Sequence, residues 1–285
     1  MRLRELIEFG REILDAKKIY KSKQESLLLY SKINNFELLD FYKNNEIVVP
    51  EEKRKKFLKK IYLRACGKPF SKIIGKKEFY SRVFYTNSQT LDPRPDSELI
   101  VDSVKNIMLK NKKKKSILDL GTGSGCLIIS ILLELKKHQI IEATGIDINA
   151  NSIVVAKKNL KLHKLEEHIS FFRSNWFQNV NRKFDVIISN PPYIISDEIK
   201  DLSKTIIDYE PNIAIDGGND GLNAYREIAR SIKPYLNFNG CVVLEIGFNQ
   251  KNKFEEIFKE NGFVLHFFSK DLGGKDRVMI FKNKI

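Results

Sequence analysis

From residue 116 onward the chain alternates short apolar runs with amphipathic stretches, and this rhythm constrains the fold more than any other feature. The apolar runs are 116–120, 141–147, 169–173, 184–189, 241–246, 263–268 and 277–281. Helical spacing fills the gaps near 126–137, 151–162, 222–233 and 250–261. Strands that are apolar on both faces and joined by helices belong to a mostly parallel sheet covered on both sides. The last two runs are separated only by 269–276, which carries Gly273-Gly274. That is too short for a helical crossover, so these two strands are expected to pair antiparallel. The expected fold class is therefore α/β, with a mostly parallel seven-stranded sheet.

The first part of the chain has a different texture. Apolar residues recur at Leu3, Ile7, Ile13 and Leu14, at Leu27, Leu28 and Leu29, and at Leu38, Leu39 and Phe41, with charges between them. This predicts helices. A further helix is expected over 51–65, stopped by Gly67 with Pro69 just beyond. Aromatic and β-branched residues over 79–85 predict a short hairpin. The expected division is a small N-terminal helical domain over 1–75 that docks the substrate, a β-hairpin linker over 76–92, and a catalytic domain over 93–285.

No run of 18 apolar residues occurs, and the opening MRLRELIEFGREIL interleaves charges where a secretory signal needs an unbroken apolar core. A cytoplasmic protein with no membrane partner is expected. Cys66, Cys126 and Cys241, and His138, His163, His168 and His266, lack the spacing of metal ligands, so no metal is expected. The net charge of +14 is spread along the chain without one basic stripe. The lysine run 112–115 reads as a solvated loop, and charge alone does not demand a nucleic-acid partner.

The first strand of the alternating region runs through Asp119 into Gly121-Thr122-Gly123-Ser124-Gly125 and then a helix. Glycines let a backbone turn sharply and approach a ligand, and the N–H groups of a following helix N-terminus face outward. Alone, such a turn also fits a dinucleotide site or a plain tight turn. Its GxGxG spacing after an acid points to S-adenosylmethionine (AdoMet). The second strand ends in Asp147, which is placed to accept from ribose hydroxyls or, alternatively, to cap the next helix. The third leads to Asn175 and Trp176, the sole tryptophan. Its loop position favours packing on adenine over a core role, and Asn175 is placed to offer its amide to the adenine edge.

The fourth strand ends in Asn190-Pro191-Pro192-Tyr193. An amide or exocyclic amine nitrogen is a poor nucleophile because its lone pair is delocalised. Acceptance of both N–H hydrogens, by the Asn190 side-chain oxygen and the Pro191 carbonyl, would localise that pair and aim it at a methyl donor. The prolines hold this backbone extended, and Tyr193 is placed to stack on the planar group. The candidate substrates are bases of DNA or RNA and glutamine in protein. DNA enzymes usually add a recognition domain for base flipping, for which little chain remains after the last core strand.

From Arg64 to Arg277 the chain resembles the PrmC/HemK family of release factor glutamine methyltransferases, whose fold is that of the Class I AdoMet-dependent methyltransferases. The likeness rests on Arg64, Gly67, Pro69, Gly75 and Phe79, and on Leu91-Asp92-Pro93-Arg94-Pro95-Asp96-Ser97-Glu98. It continues in NPPY, Tyr209-Glu210-Pro211, Ala214 and Asp216-Gly217-Gly218-Asn219-Asp220-Gly221-Leu222. Leu244-Glu245-Ile246-Gly247, Gly262-Phe263 and Asp271-Leu272-Gly273-Gly274-Lys275-Asp276-Arg277 complete it. The resemblance implies AdoMet contacts at Gly121, Thr122, Gly123, Ser124, Gly125, Asp147, Trp176 and Asn190. It also implies that Asn190, Pro191, Pro192 and Tyr193 hold the glutamine of the GGQ motif in class I peptide chain release factors. A monomer is expected, with nucleic acid not the substrate; the alternative is an exocyclic amine of an RNA or DNA base. Asn175 stands where Asp is commoner, Ser97 where Thr is, and Asp92 where an aliphatic residue is, without evident reason. Arg94 and Glu98 read equally well as an i,i+4 surface pair or as residues that shape the substrate pocket.

Overall fold

The computed structural model describes residues 1–111, 116–135 and 141–284, so the 112–115 run and the expected end of the helix at 136–137 lie outside the described residues. The chain divides into two compact units, one of Met1–Lys76 with Ser203–Tyr209, the other of Lys77–Leu202 with Glu210–Ile285.

The first unit contains helices α1 (Leu3–Asp15), α2 (Ser22–Asn34), α3 (Leu38–Asn44), α4 (Glu51–Ala65) and α5 (Phe70–Ile74). Helix α1 buries Leu3, Leu6, Ile7, Gly10 and Leu14, one stripe at helical spacing. The stripe meets Leu29 and Tyr30 of α2 and Phe57 and Ile61 of α4. Gly10 permits this approach: a Cβ there would lie 2.5 Å from Ser26 Oγ and 2.8 Å from Phe57 Cζ. The Ser26 hydroxyl donates to the Ile7 carbonyl (2.8 Å), satisfying a polar group inside the core. The helix expected over 51–65 forms with those bounds. Helix α3 differs from expectation in orientation. None of its residues is buried, and Leu39 and Tyr42 are each 75% exposed. Only two turns long, it anchors on the core through Phe41.

The second unit begins one residue into β1 (Lys76–Phe79), which forms a hairpin with β2 (Arg82–Tyr85), with Tyr80 and Ser81 both in the left-handed region at its turn. Helix α6 (Glu98–Lys110) follows, entered through a 3-10 turn at Pro95–Ser97. The remaining elements are β3 (Ser116–Leu120), α7 (Cys126–Leu135), β4 (Glu142–Asp147), α8 (Ala150–Leu162), β5 (Ile169–Arg173), β6 (Phe184–Ser189), α9 (Lys204–Tyr209, within the first unit), α10 (Asn223–Ser231), β7 (Leu236–Glu245), α11 (Lys251–Glu260), β8 (Phe263–Lys270) and β9 (Asp276–Asn283).

Strands β3 to β9 form one seven-stranded sheet in the order β5-β4-β3-β6-β7-β9-β8. Pairs among β3 to β7 are parallel, and β9 is antiparallel to both its neighbours, as the short 269–276 connection requires. Successive side chains alternate between the two faces. Ile117, Val186, Ile188 and Val243 join α6, α7 and α8 in one core. Leu118, Ile187, Val242 and Leu244 join α10 and α11 in the other. Strand β7 begins five residues earlier than expected: Leu236 pairs with Phe184, and the register then shifts to Cys241 opposite Val186. The intervening Asn237 and Gly240 masked this irregular start in the sequence. The order reverses between β3 and β6, so their carboxyl ends diverge and leave a crevice, where open α/β sheets bind ligands.

Candidate active site

A cavity of about 490 Å³ occupies that crevice. Four consecutive strand ends feed it. From β3 come Gly121, Thr122, Gly123 and Ser124; from β4, Asp147; from β5, Asn175 and Trp176; from β6, Asn190, Pro191 and Pro192. Gly125 and Tyr193 are not part of the lining. Gly125 serves packing beneath the turn: its φ is +78°, and a Cβ would sit 3.0 Å from the Phe171 ring.

The glycine turn is held from below. The Thr122 N–H donates to the Ile146 carbonyl (2.8 Å), and the Thr122 hydroxyl donates to Asp119 Oδ2 (2.6 Å). Burial pushes the Asp119 carboxyl up to about 7, opposed by the Thr122 hydroxyl and reinforced by Asp147. Asp147 takes the Gly123 N–H on one oxygen (2.9 Å) and the Asn149 N–H on the other (2.8 Å), leaving a lone pair on each. It is not the cap of α8; Asn149 fills that place, accepting from the Asn151 N–H. Trp176 is half-buried, resting on the core on one side and lining the cavity on the other. Its φ of +44° is unusual for a bulky residue, and its carbonyl is fixed by the Ser174 hydroxyl (2.6 Å).

On the β6 side, Asn190 Nδ2 donates to Ser97 Oγ at 3.0 Å. No donor among the described residues reaches Asn190 Oδ1 or the Pro191 carbonyl. Tyr193 stands behind this wall. Its ring rests on the core, its hydroxyl donates to Glu245 Oε1 (3.3 Å), and its carbonyl accepts from Gln250 Nε2 (2.9 Å). The Tyr193 hydroxyl and carbonyl are thus both held from behind, by Glu245 and Gln250. Burial first, and then the Glu245 charge, raise the Tyr193 phenol well above its ordinary value, so it stays protonated.

Arg94 and Glu98 do not pair with each other. Arg94 lines the cavity and its Nη2 meets Glu210 Oε1 at 2.8 Å, whereas Glu98 accepts the Tyr80 N–H (2.7 Å) at the hairpin turn. Glu210, with a side chain 2% exposed, also accepts the Asp92 N–H (3.2 Å). Asp92, unexplained in the sequence, is buried and accepts the Thr86 hydroxyl (2.6 Å), tying the hairpin to the cavity rim. Ser97, Glu210, Glu245 and Gln250 all serve the site, yet sequence reading gave them no role. Ser97, Glu210 and Glu245 appeared only as pieces of a family pattern, and Gln250 only as the start of an expected helix.

The strand order and the likeness to the solved methyltransferase of Pyrococcus furiosus show the fold, that of the Class I AdoMet-dependent methyltransferases. That structure aligns with a TM-score of 0.50 over 82% of this chain and 99% of its own, at 19% identity. The Methyltransferase small domain family matches residues 95–229. The release factor glutamine methyltransferase of Agrobacterium fabrum is 36% identical over 276 residues, covering 96% of this chain and 94% of its own. The chain belongs to the release factor glutamine methyltransferase family. A bifunctional methyltransferase of Rickettsia felis is 39% identical over 252 residues, and the match spans 47% of that longer protein. No helix among the described residues is long and apolar enough to cross a membrane.

Proposed function

We propose that this chain transfers a methyl group from AdoMet to the side-chain amide nitrogen of the glutamine in the GGQ motif of class I peptide chain release factors. The observation that carries the reading is the Asn190 side chain in the wall of the cavity that the glycine turn and Asp147 also line. With Nδ2 committed to Ser97, its oxygen is left to accept.

The residues present fit AdoMet. Asp147 keeps one lone pair per oxygen for ribose hydroxyls, Trp176 offers a flat apolar face, and Gly121 to Ser124 bring backbone to the cavity. Beneath the turn, buried Asp119 Oδ1 lacks a hydrogen-bond partner among the described residues. Bound AdoMet supplies a methyl group on positively charged sulfur. The protein's part is orientation. Asn190 Oδ1 and the Pro191 carbonyl accept the two N–H hydrogens of the glutamine amide, turning its lone pair toward the methyl. Pro191 and Pro192 keep that pair of acceptors rigid. No base is required beforehand, because the nitrogen releases a proton after the new bond forms. Such alignment is worth up to ~7–11 kcal/mol of a barrier. The exposed Leu39 and Tyr42 of α3 give the helical unit apolar surface with which to dock a release factor.

Incubation with AdoMet and a full-length class I release factor, followed by mass spectrometry of the GGQ peptide, tests the reading. A gain of one methyl on that glutamine is expected. Methyl transfer to RNA or DNA with none on the release factor would replace this reading with that of a base methyltransferase.

A further inference from the structure

Behind the cavity wall lies a buried carboxylate that the proposed chemistry does not use. Glu245, at the end of β7, is 1% exposed. Its Oε2 accepts the Ser97 hydroxyl at 2.5 Å and its Oε1 accepts the Tyr193 hydroxyl at 3.3 Å. Compensating positive charge comes from Arg277 of β9, whose guanidinium also bonds Asp271 (2.9 Å) and Asp96 (3.3 Å). Tyr225 of α10 donates to the Glu245 backbone carbonyl (3.2 Å). An apolar residue would fill this place with less desolvation cost. The charge therefore calls for a reason.

We infer that Ser97 and Glu245 are positioning residues that set which end of the Asn190 amide faces the substrate. An asparagine side chain is nearly the same shape with its oxygen and nitrogen exchanged, so only its hydrogen-bond partners fix the choice. Above about pH 7 the Glu245 carboxyl is ionised and only accepts, so the single Ser97 proton points at Glu245. Ser97 Oγ then offers a lone pair, and the group it meets on Asn190 must be the NH2, at the observed 3.0 Å. The Asn190 oxygen is thereby presented to the cavity. A flipped amide would set N–H against the N–H of the substrate and lose the acceptor. Directionality passes from Glu245 to Ser97 to Asn190, across 148 and then 93 residues of sequence.

This inference rests on the proposed function, and the test separates the two. Steady-state methylation of full-length release factor is compared for wild type, Ser97→Ala, Ser97→Thr and Glu245→Met, with AdoMet affinity measured by calorimetry. Ser97→Ala is expected to lower kcat about 10- to 100-fold, the effect of losing a buried, charge-linked hydrogen bond, with KM and AdoMet affinity within about threefold of wild type. Ser97→Thr keeps the hydroxyl and should recover kcat to within about threefold. Glu245→Met, similar in length and without an acceptor, should lower kcat about tenfold with AdoMet binding retained; it decides the matter if Ser97→Ala fails to fold. Placing Ser97→Ala in an Asn190→Ala background should add nothing. Wild-type kcat in Ser97→Ala or Glu245→Met, or Ser97→Thr as slow as Ser97→Ala, would overturn the inference. A wild-type chain that binds AdoMet yet leaves the release factor unmethylated would instead overturn the substrate reading.

Discussion

The two halves of the cavity are built by different means. On the β3–β4 side the lining is largely backbone: a glycine turn pinned by Thr122 and by Asp147, whose carboxylate anchors N–H groups on both sides. On the β6 side it is a layered set of side chains, with Asn190 and Ser97 in the wall, Tyr193 behind it, and Glu245 and Arg277 behind those. The first half takes its shape from contacts close in sequence, whereas the second is assembled from residues far apart. A backbone half should tolerate side-chain changes that do not touch its two carboxylates, Asp119 and Asp147. A layered half should transmit a change in any layer to the wall.

The comparison can be broken at several points. Asn190→Ala should lower turnover by about 10²- to 10³-fold, as removal of one preorganised polar group does, while AdoMet binding stays within a few-fold. Radiolabel transfer and calorimetry on the same sample would show this, and near-normal turnover would contradict the lone-pair argument. Asp147→Asn should behave in the opposite sense. AdoMet affinity is expected to fall about 10-fold or more because charge-assisted acceptance is lost, with kcat at saturating AdoMet little changed. Equal losses in both parameters would show that the halves are not separable.

Acid should act on the layered half. Burial lifts the Glu245 carboxyl to about 7, against the pull of Ser97, Arg277 and Tyr193 and with the push of Asp96. As pH falls through that value the carboxyl gains a proton and is no longer an obligatory acceptor for Ser97. The expected result is a roughly tenfold decline in kcat from pH 8 to pH 6. Glu245→Gln keeps an acceptor that does not titrate and should flatten the decline. Asp119 is lifted into the same range, so a decline that persists in Glu245→Gln would move its origin to the backbone half. The smallest effect is expected at the rim. Arg94→Ala leaves the buried Glu210 carboxylate with fewer donors and should cost about 1–3 kcal/mol of stability, read as a lower Tm, with only a few-fold change in turnover.

The same contrast explains what was legible in the sequence. Strands β3, β5 and β6 fell where their apolar runs placed them, because their burial is written locally: β3 and β6 are buried on both faces, and β5 alternates buried Ile169 and Phe171 with more exposed neighbours. The glycine turn, Asp147 and the NPPY segment were readable for the same reason. Helix α6 was legible only as the helix start implied by the i,i+4 reading of Arg94 and Glu98, and the two prolines before it overshadowed its Ile100, Val101, Val104 and Met108. The early start of β7 was hidden by its irregular register. The partner of Arg94 is 116 residues away and that of Ser97 is 148, and no local spacing encodes such pairings. The hydroxyl partner of Tyr193, Glu245, is likewise 52 residues away.

Trp176 is the one tryptophan in the chain, and it lies in the lining of the cavity. Light absorbed at the red edge of the protein spectrum is therefore emitted from a single indole in the lining of the crevice. A planar ligand settling on that ring should quench or shift its emission. The chain carries its own optical reporter, able to follow occupancy in real time without a label.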